Sequence, residues 1–357
     1  MISKKKKSVF VGMSGGVDSS VAAFLLKKSG YDVTGVFIKC YNIDGCAERD
    51  AEDARRVAEH IGIPFYVFDF EKEYKKKVVD YMIEGYRTGL TPNPDVMCNR
   101  EIKFGLFLKR ALSLGADFVA TGHYVELVSG KAPHLKIAKD TNKDQSYFLW
   151  TLTPNELKHC IFPLGKIKKP EVRIIAKKAG LSTAEKKDSQ GICFLGMFDV
   201  KDFLKQKIKT KNGYVLGTDG EMMGEHEGAA LYTIGQRHGF TLSAKKGSET
   251  KPHYVVSKDV KKNIIVVAEG SENPSLFRKE LELSGVNIVI PFTKKASVMA
   301  RVRYRQPISP AILENIGTKS KPRYKLSFKK SQKFVASGQS AVFYKGGGGL
   351  VGGGIIV

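Results

Sequence analysis

The chain has 357 residues, with 59 Lys+Arg, 36 Asp+Glu, 5 Cys and a formal net charge of +23. That length suggests about two or three domains. The 42% apolar content supports packed cores and excludes collagen-like, disordered and disulfide-rich secreted classes. No apolar stretch approaches the ~20 residues a membrane span needs. The basic start, Lys4 to Lys7, runs into an apolar segment, Val9 to Met13, too short for a signal peptide, so a cytoplasmic protein is expected. The charge favours a polyanionic partner, most often nucleic acid, although a Lys-rich proteome gives the same excess. Residues 276–357 alone hold 15 Lys+Arg against 3 Asp+Glu, so the basic character is concentrated.

Along the first ~125 residues, two periods alternate. Strands are expected at Val9–Met13, Val33–Lys39, Phe65–Phe70 and Phe118–Thr121. Helices are expected at Asp18–Lys28, Ala47–Ile61, Glu71–Tyr86 and Arg100–Ser113. Such a βαβα order implies an α/β fold with a parallel sheet, which binds ligands beyond the C-terminal ends of its strands. Lys143 to about Lys205 reads as helical with irregular loops. From Asn212 onward, short β-rich runs alternate with turn residues, as in small sandwiches or barrels. The expected organisation is a catalytic domain over 1–210, a small β-rich domain over 211–275 and a C-terminal β-barrel over 276–357. The Gly-dense segment Gly346–Gly354 is expected to form a closing hairpin.

Gly12-Met13-Ser14-Gly15-Gly16-Val17-Asp18-Ser19 follows a strand and opens a helix. Glycines let a backbone approach an anion, and a helix N-terminus offers free N–H groups. A Gly-rich turn alone serves tight strand–helix packing equally well. There is no GK[ST], so this is not a Walker A loop. The whole string SGGVDS resembles the PP-loop of ATP pyrophosphatases, which release pyrophosphate and transfer AMP to an oxygen.

The five cysteines form no CxxC pair, so a zinc ribbon is not expected. Cys40, Cys46 and Cys160 read as core filler. Cys98 and Cys193 differ, because both sit in polar Gly/Pro-containing loops: TPNPDVMCNR and KDSQGICFLG. A thiol at a helix start beside Arg100 and Lys103 should have a lowered pKa, and Asp95 could handle protons. Two reactive cysteines suit an AMP-forming loop. AMP makes a carbonyl oxygen a leaving group, one cysteine delivers a persulfide sulfur to the carbon, and the other attacks the inner sulfur.

Together, GMSGGVDSSV, TPNPDVMCNREIKF, ATGHYV, NKDQSYFL, KDSQGICFLG, YTIGQRHG, RYRQ and GQSAVFY resemble the bacterial and mitochondrial tRNA-specific 2-thiouridylases over essentially the whole chain. The resemblance implies thiolation of C2 of the wobble uridine in Lys, Glu and Gln tRNAs. It implies that Gly12, Met13, Ser14, Gly15, Gly16, Val17, Asp18 and Ser19 bind ATP. Ile38 stands where the family usually has an adenine-contacting Met, and Gly122 lies near the nucleotide. Asn93, Pro94 and Asp95 face the base, Cys98 is the nucleophile and Cys193 carries the persulfide. His123, Lys143, Asp144, Gln145, Arg303, Tyr304 and Gln339 touch tRNA. It further implies transient Mg²⁺ with ATP, a persulfide donor (a cysteine desulfurase or relay protein) and no membrane partner.

Arg301, Arg303 and Arg305 alternate along an expected strand, which predicts a shared phosphate-binding face. Two other functions compete. A nitrogen-transferring PP-loop ligase leaves Cys98 and Cys193 idle. A non-catalytic RNA-binding protein predicts a damaged loop, and the loop is intact.

Overall fold

The computed structural model describes residues 6–40, 45–187, 199–243, 251–318 and 322–357, the Cys46 side chain excepted. Val9 and Val11 are fully buried, as a central parallel strand covered on both faces requires. This strand, β1 (Ser8–Gly12), pairs in parallel with β2 (Asp32–Lys39) and with β4 (Phe118–Thr121), and β2 pairs with β3 (Phe65–Asp69). A short hairpin follows, β5 (Glu126–Val128) and β6 (His134–Lys136). Then β7 (Cys160–Ile161) completes the order β3-β2-β1-β4-β7. Chain direction across the sheet reverses between β1 and β4, and the crevice at such a switch point is where a ligand fits.

The connecting helices are α1 (Val17–Lys28), α2 (Cys46–His60), α3 (Glu71–Tyr74), α4 (Asp80–Arg87), α5 (Pro94–Met97) and α6 (Leu108–Ser113). Two of these pairs are bridged by wide π turns. Lys75–Val79 joins α3 to α4, and Cys98–Phe107 joins α5 to α6. The helix expected from Arg100 therefore begins at Pro94. Asn93 starts it, its Oδ1 accepting the Val96 N–H at 3.2 Å, and Pro94 has no N–H to leave unsatisfied. Beyond the sheet lie α7 (Pro154–Leu157), α8 (Lys169–Lys178) and α9 (Val200–Lys207).

The second sheet contains β8 (Gly213–Leu216), β9 (Met222–His226), β10 (Phe240–Leu242), β11 (His253–Asp259) and β12 (Ile264–Glu269). Its order is β10-β9-β8-β12-β11. The third unit is a closed barrel of β13 (Phe277–Ile288), β14 (Lys295–Arg301), β15 (Ser309–Asn315), β16 (Tyr324–Lys333), β17 (Ser340–Tyr344) and β18 (Leu350–Ile356). Closure leaves no unpaired strand edge. The Gly-dense segment supplies β18, antiparallel to β17. A Cβ at Gly353 would meet the Trp150 indole at 2.6 Å, so this glycine serves close approach.

The expected arginine stripe is absent. Strand β14 ends at Arg301, which is buried. Arg303 and Arg305 lie in the following turn, and Arg305 takes a left-handed φ of 64°. The alternation that would align them on one face stops where the strand does.

One core face of the first sheet continues into the barrel. Phe104, Tyr147, Trp150 and Leu152 pack in one cluster with Val342, Tyr344 and Leu350. Another cluster joins Tyr74, Met82, Cys98 and Ile102 to Phe203 and Leu204 of α9, Ile265 of the second sheet and Tyr232 between β9 and β10.

Candidate active site

β1 ends at Gly12, and the loop turns at once into α1. The Met13 N–H donates to Val36 O at 2.8 Å, fastening the loop to β2. Gly15 has φ +70°, and a Cβ there would meet the Asp50 carbonyl at 2.3 Å, so only glycine fits. The Ser14 N–H donates to Ser19 Oγ, and the Ser19 and Ser20 hydroxyls donate to Gly16 O. No side chain caps the start of α1, so its first amides point out as anion donors. Gly122, just past β4, packs on this turn; a Cβ there would lie 2.6 Å from the Ser19 nitrogen. Ile38 borders Gly12 at the end of β2.

Asp18 stands in the first turn of α1. The Lys169 ammonium donates to its two oxygens at 2.7 and 2.8 Å, and the Tyr124 hydroxyl donates to Oδ1 at 2.6 Å. Lys169 is buried at the start of α8, its own N–H held by Asp140 Oδ2 at 2.8 Å. Tyr124 is in turn bracketed by Gln145, which accepts the Tyr124 N–H through Oε1 and donates its own N–H to Tyr124 O.

Cys98 is 2% exposed, in the first residues of the π turn. Burial raises its thiol pKa above the ordinary 9.0. The Lys103 charge and a Tyr74 hydrogen bond pull the other way, and Asp95 adds to the rise. The lowered pKa expected from the helix start is thus reversed, because desolvation outweighs the nearby cation. Asn93 and Pro94 are buried, and Asn99 donates to Asp95 O at 3.0 Å. Lys103 also acts on His123. Burial first, then that charge, holds the His123 imidazole well below 6.5. His123 sits between Phe104 and Phe162 and shares a hydrogen bond with Thr121 Oγ1 at 2.7 Å.

Several residues expected to touch RNA have their side chains committed inside the protein. Asp144 is buried against Arg301 and Ser146. Arg303 donates to Ile234 O at 2.6 Å and lies over Phe334. Gln339 donates to Thr91 O at 2.8 Å. Tyr304 is half-buried, packs at a tilt against Phe148 with ring centroids 4.4 Å apart and has the Arg305 guanidinium over its ring. Lys143 is half-buried in a turn whose backbone is held by Asp140.

Family models match in three consecutive blocks: "tRNA methyl transferase HUP domain" over residues 7–197, "tRNA methyl transferase PRC-barrel domain" over 201–269 and "Aminomethyltransferase beta-barrel domain" over 278–356. The tRNA-specific 2-thiouridylase MnmA of Streptococcus thermophilus is 46% identical over 98% of this chain and 96% of its own length. Those of Streptococcus sanguinis and Streptococcus agalactiae are 45% and 46% identical, over 98% and 96% of this chain. The chain belongs to the tRNA-specific 2-thiouridylase family.

For a 2-thiouridylase, the structure brings the nucleotide loop, Gly122, His123 and the Cys98 helix to one end of one sheet. Cys193 lies outside the described residues. Sequence reasoning missed Lys169 and Tyr124, because their partner Asp18 is 151 and 106 positions away. Among the described residues no helix is long and apolar enough to cross a membrane. None of the described His, Cys, Asp and Glu side chains form a group of three that could hold a metal. In the free protein both Asp18 oxygens accept from Lys169, so neither is open to a metal there.

Proposed function

We propose that the protein thiolates C2 of the wobble uridine in tRNAs of the Lys, Glu and Gln type, using ATP and a persulfide sulfur. One observation carries this reading. On the segment that begins at Cys98, Phe104 packs on the His123 ring at 5.9 Å and Phe107 lies against Gly12 of the nucleotide loop. This supports a reading in which Cys98 works beside the nucleotide loop.

The uridine O2 attacks the α-phosphorus of ATP, the bond to the β-phosphate oxygen breaks, and pyrophosphate leaves. The terminal sulfur of a Cys193 persulfide then adds to C2, and AMP departs with the oxygen. Cys98 as thiolate attacks the inner sulfur of Cys193. The S–S bond breaks, a Cys98–Cys193 disulfide forms and the terminal sulfur stays on C2. A cysteine desulfurase or relay protein reloads Cys193 after a reductant opens the disulfide. Asn93 to Asp95 hold the base, and magnesium accompanies the nucleotide's phosphates. No step is routed through a protein-bound metal.

The family models carry the word methyltransferase, but a methyl-transfer reading leaves the phosphate loop and Cys98 without work. The test is incubation with tRNA, ATP, Mg²⁺ and a persulfide source, followed by nucleoside mass spectrometry and pyrophosphate assay. A thiouridine formed in step with pyrophosphate is expected. A methylated nucleoside, or thiolation without ATP, would overturn the proposal.

A further inference from the structure

The loop from Gly12 to Ser20 contains no Lys or Arg. Walker-type phosphate loops carry a lysine that reaches the β- and γ-phosphates. This loop instead carries a carboxylate, Asp18, in the turn where a polyphosphate would bind. That charge repels the ligand unless it is compensated.

We propose that Lys169 is the missing phosphate-binding cation, stored on Asp18 in the free protein and passed to the β- and γ-phosphates of ATP on binding. This rests on the ATP-dependent reading above. Lys169 is no solvated surface lysine, since its side chain is 10% exposed. Its backbone N–H is pinned by Asp140 and its ammonium is aimed at the first turn of α1 by Asp18. An arm fixed in advance loses little on engaging a ligand. A polyphosphate carries several negative charges and competes well with a single carboxylate for one ammonium. When Lys169 moves across, the Tyr124 hydroxyl remains on Asp18 Oδ1 at 2.6 Å. In the AMP-transfer step the electron pair of the breaking P–O bond goes to pyrophosphate, and Lys169 neutralises it there. No proton or electron is taken from the lysine.

A purely structural Lys169–Asp18 pair makes a different forecast, and nucleotide selectivity separates the two. ATP and AMP, each with Mg²⁺, are titrated by calorimetry into the wild type, Lys169→Met and Lys169→Arg, with thermal melting as the folding check. Lys169→Met is expected to bind ATP at least about tenfold more weakly, the size of one charge-assisted contact, while AMP changes less than about twofold. Lys169→Arg, which keeps the charge, is expected to keep most of the ATP preference. Pyrophosphate release by Lys169→Met should fall about a hundredfold. Equal loss for ATP and AMP, loss for neither, or full recovery of ATP binding when Asp18→Asn is added to Lys169→Met overturns the proposal. Should Lys169→Met fail to fold, loss of ATP and AMP in equal measure by Lys169→Arg overturns it as well. If the wild type itself binds no ATP, the ATP-dependent reading fails too. If the wild type binds ATP and the variants match it, only the role of Lys169 is lost.

Discussion

Arg301 of the barrel and Asp144 of the first domain form an ion pair almost wholly withdrawn from water, their side chains 7% and 1% exposed. Ser146 Oγ donates to Asp144 Oδ2 at 2.8 Å, and Arg301 also donates to the Tyr344 hydroxyl at 2.9 Å. Leaving either charge alone in this setting costs about 3–5 kcal/mol. Asp144→Asn and Arg301→Met are therefore each expected to destabilise the protein by that order. Denaturant unfolding measures it, and a loss under about 1 kcal/mol would show that the pair does not hold the junction.

Gln339 holds the loop proposed to face the base. Its amide donates to Thr91 O, and Ser337 O accepts the Thr91 N–H at 2.8 Å. Gln339→Ala should lower kcat for thiolation about ten- to hundredfold by loosening this loop. ATP affinity should not change, since the bonds that shape the nucleotide loop do not involve Gln339. Calorimetric ATP binding beside single-turnover thiolation separates the two effects; parallel losses would argue for global damage.

Arg305 is exposed over Tyr304, whereas Arg303 is tied to Ile234 O. Arg305→Ala should reduce the slope of log affinity for tRNA against log salt by about one phosphate contact. Arg303→Ala should lower stability at the junction with the second sheet and leave that slope unchanged. The reverse pattern in filter-binding titrations would restore Arg303 as the phosphate ligand.

Cys98 is a buried thiol whose pKa is raised by desolvation, so its neutral form is favoured and its thiolate forms at higher pH than an ordinary thiol's. Alkylation of Cys98 in the free protein is expected to be slow near neutrality and to accelerate at alkaline pH. Tyr74→Phe removes a bond that favours the thiolate and should slow it further. Peptide mass spectrometry over a pH series follows this, and fast labelling at neutral pH would contradict the burial.

The central sheet and the nucleotide loop were legible because their signals are local: apolar runs of strand length, and glycines at the turns between them. The start of the Cys98 helix was displaced because Asn93 and Pro94 act as a cap, and a proline-rich stretch otherwise reads as loop. The two π turns are defined by i→i+5 backbone bonds, which no residue type marks in the sequence. The Arg301–Asp144 pair spans 157 positions, and a strand pattern gives no hint that one of its arginines points inward to an acid in another domain. The expected cysteine chemistry followed from residue types alone. The cluster that buries Cys98 takes part of its members from α9 and the second sheet, a hundred and more positions downstream.

Gly353 lies against the Trp150 indole, Trp150 Nε1 donates to Ser340 Oγ at 3.0 Å, and Asn287 donates to Trp150 O at 2.8 Å. The barrel is therefore not an interchangeable module strung after an enzyme. A chimaera that takes its barrel from a relative must import Trp150 and its three partners as one set. Recombination between distant relatives should succeed when the crossover leaves this set together, and fail when it falls inside it.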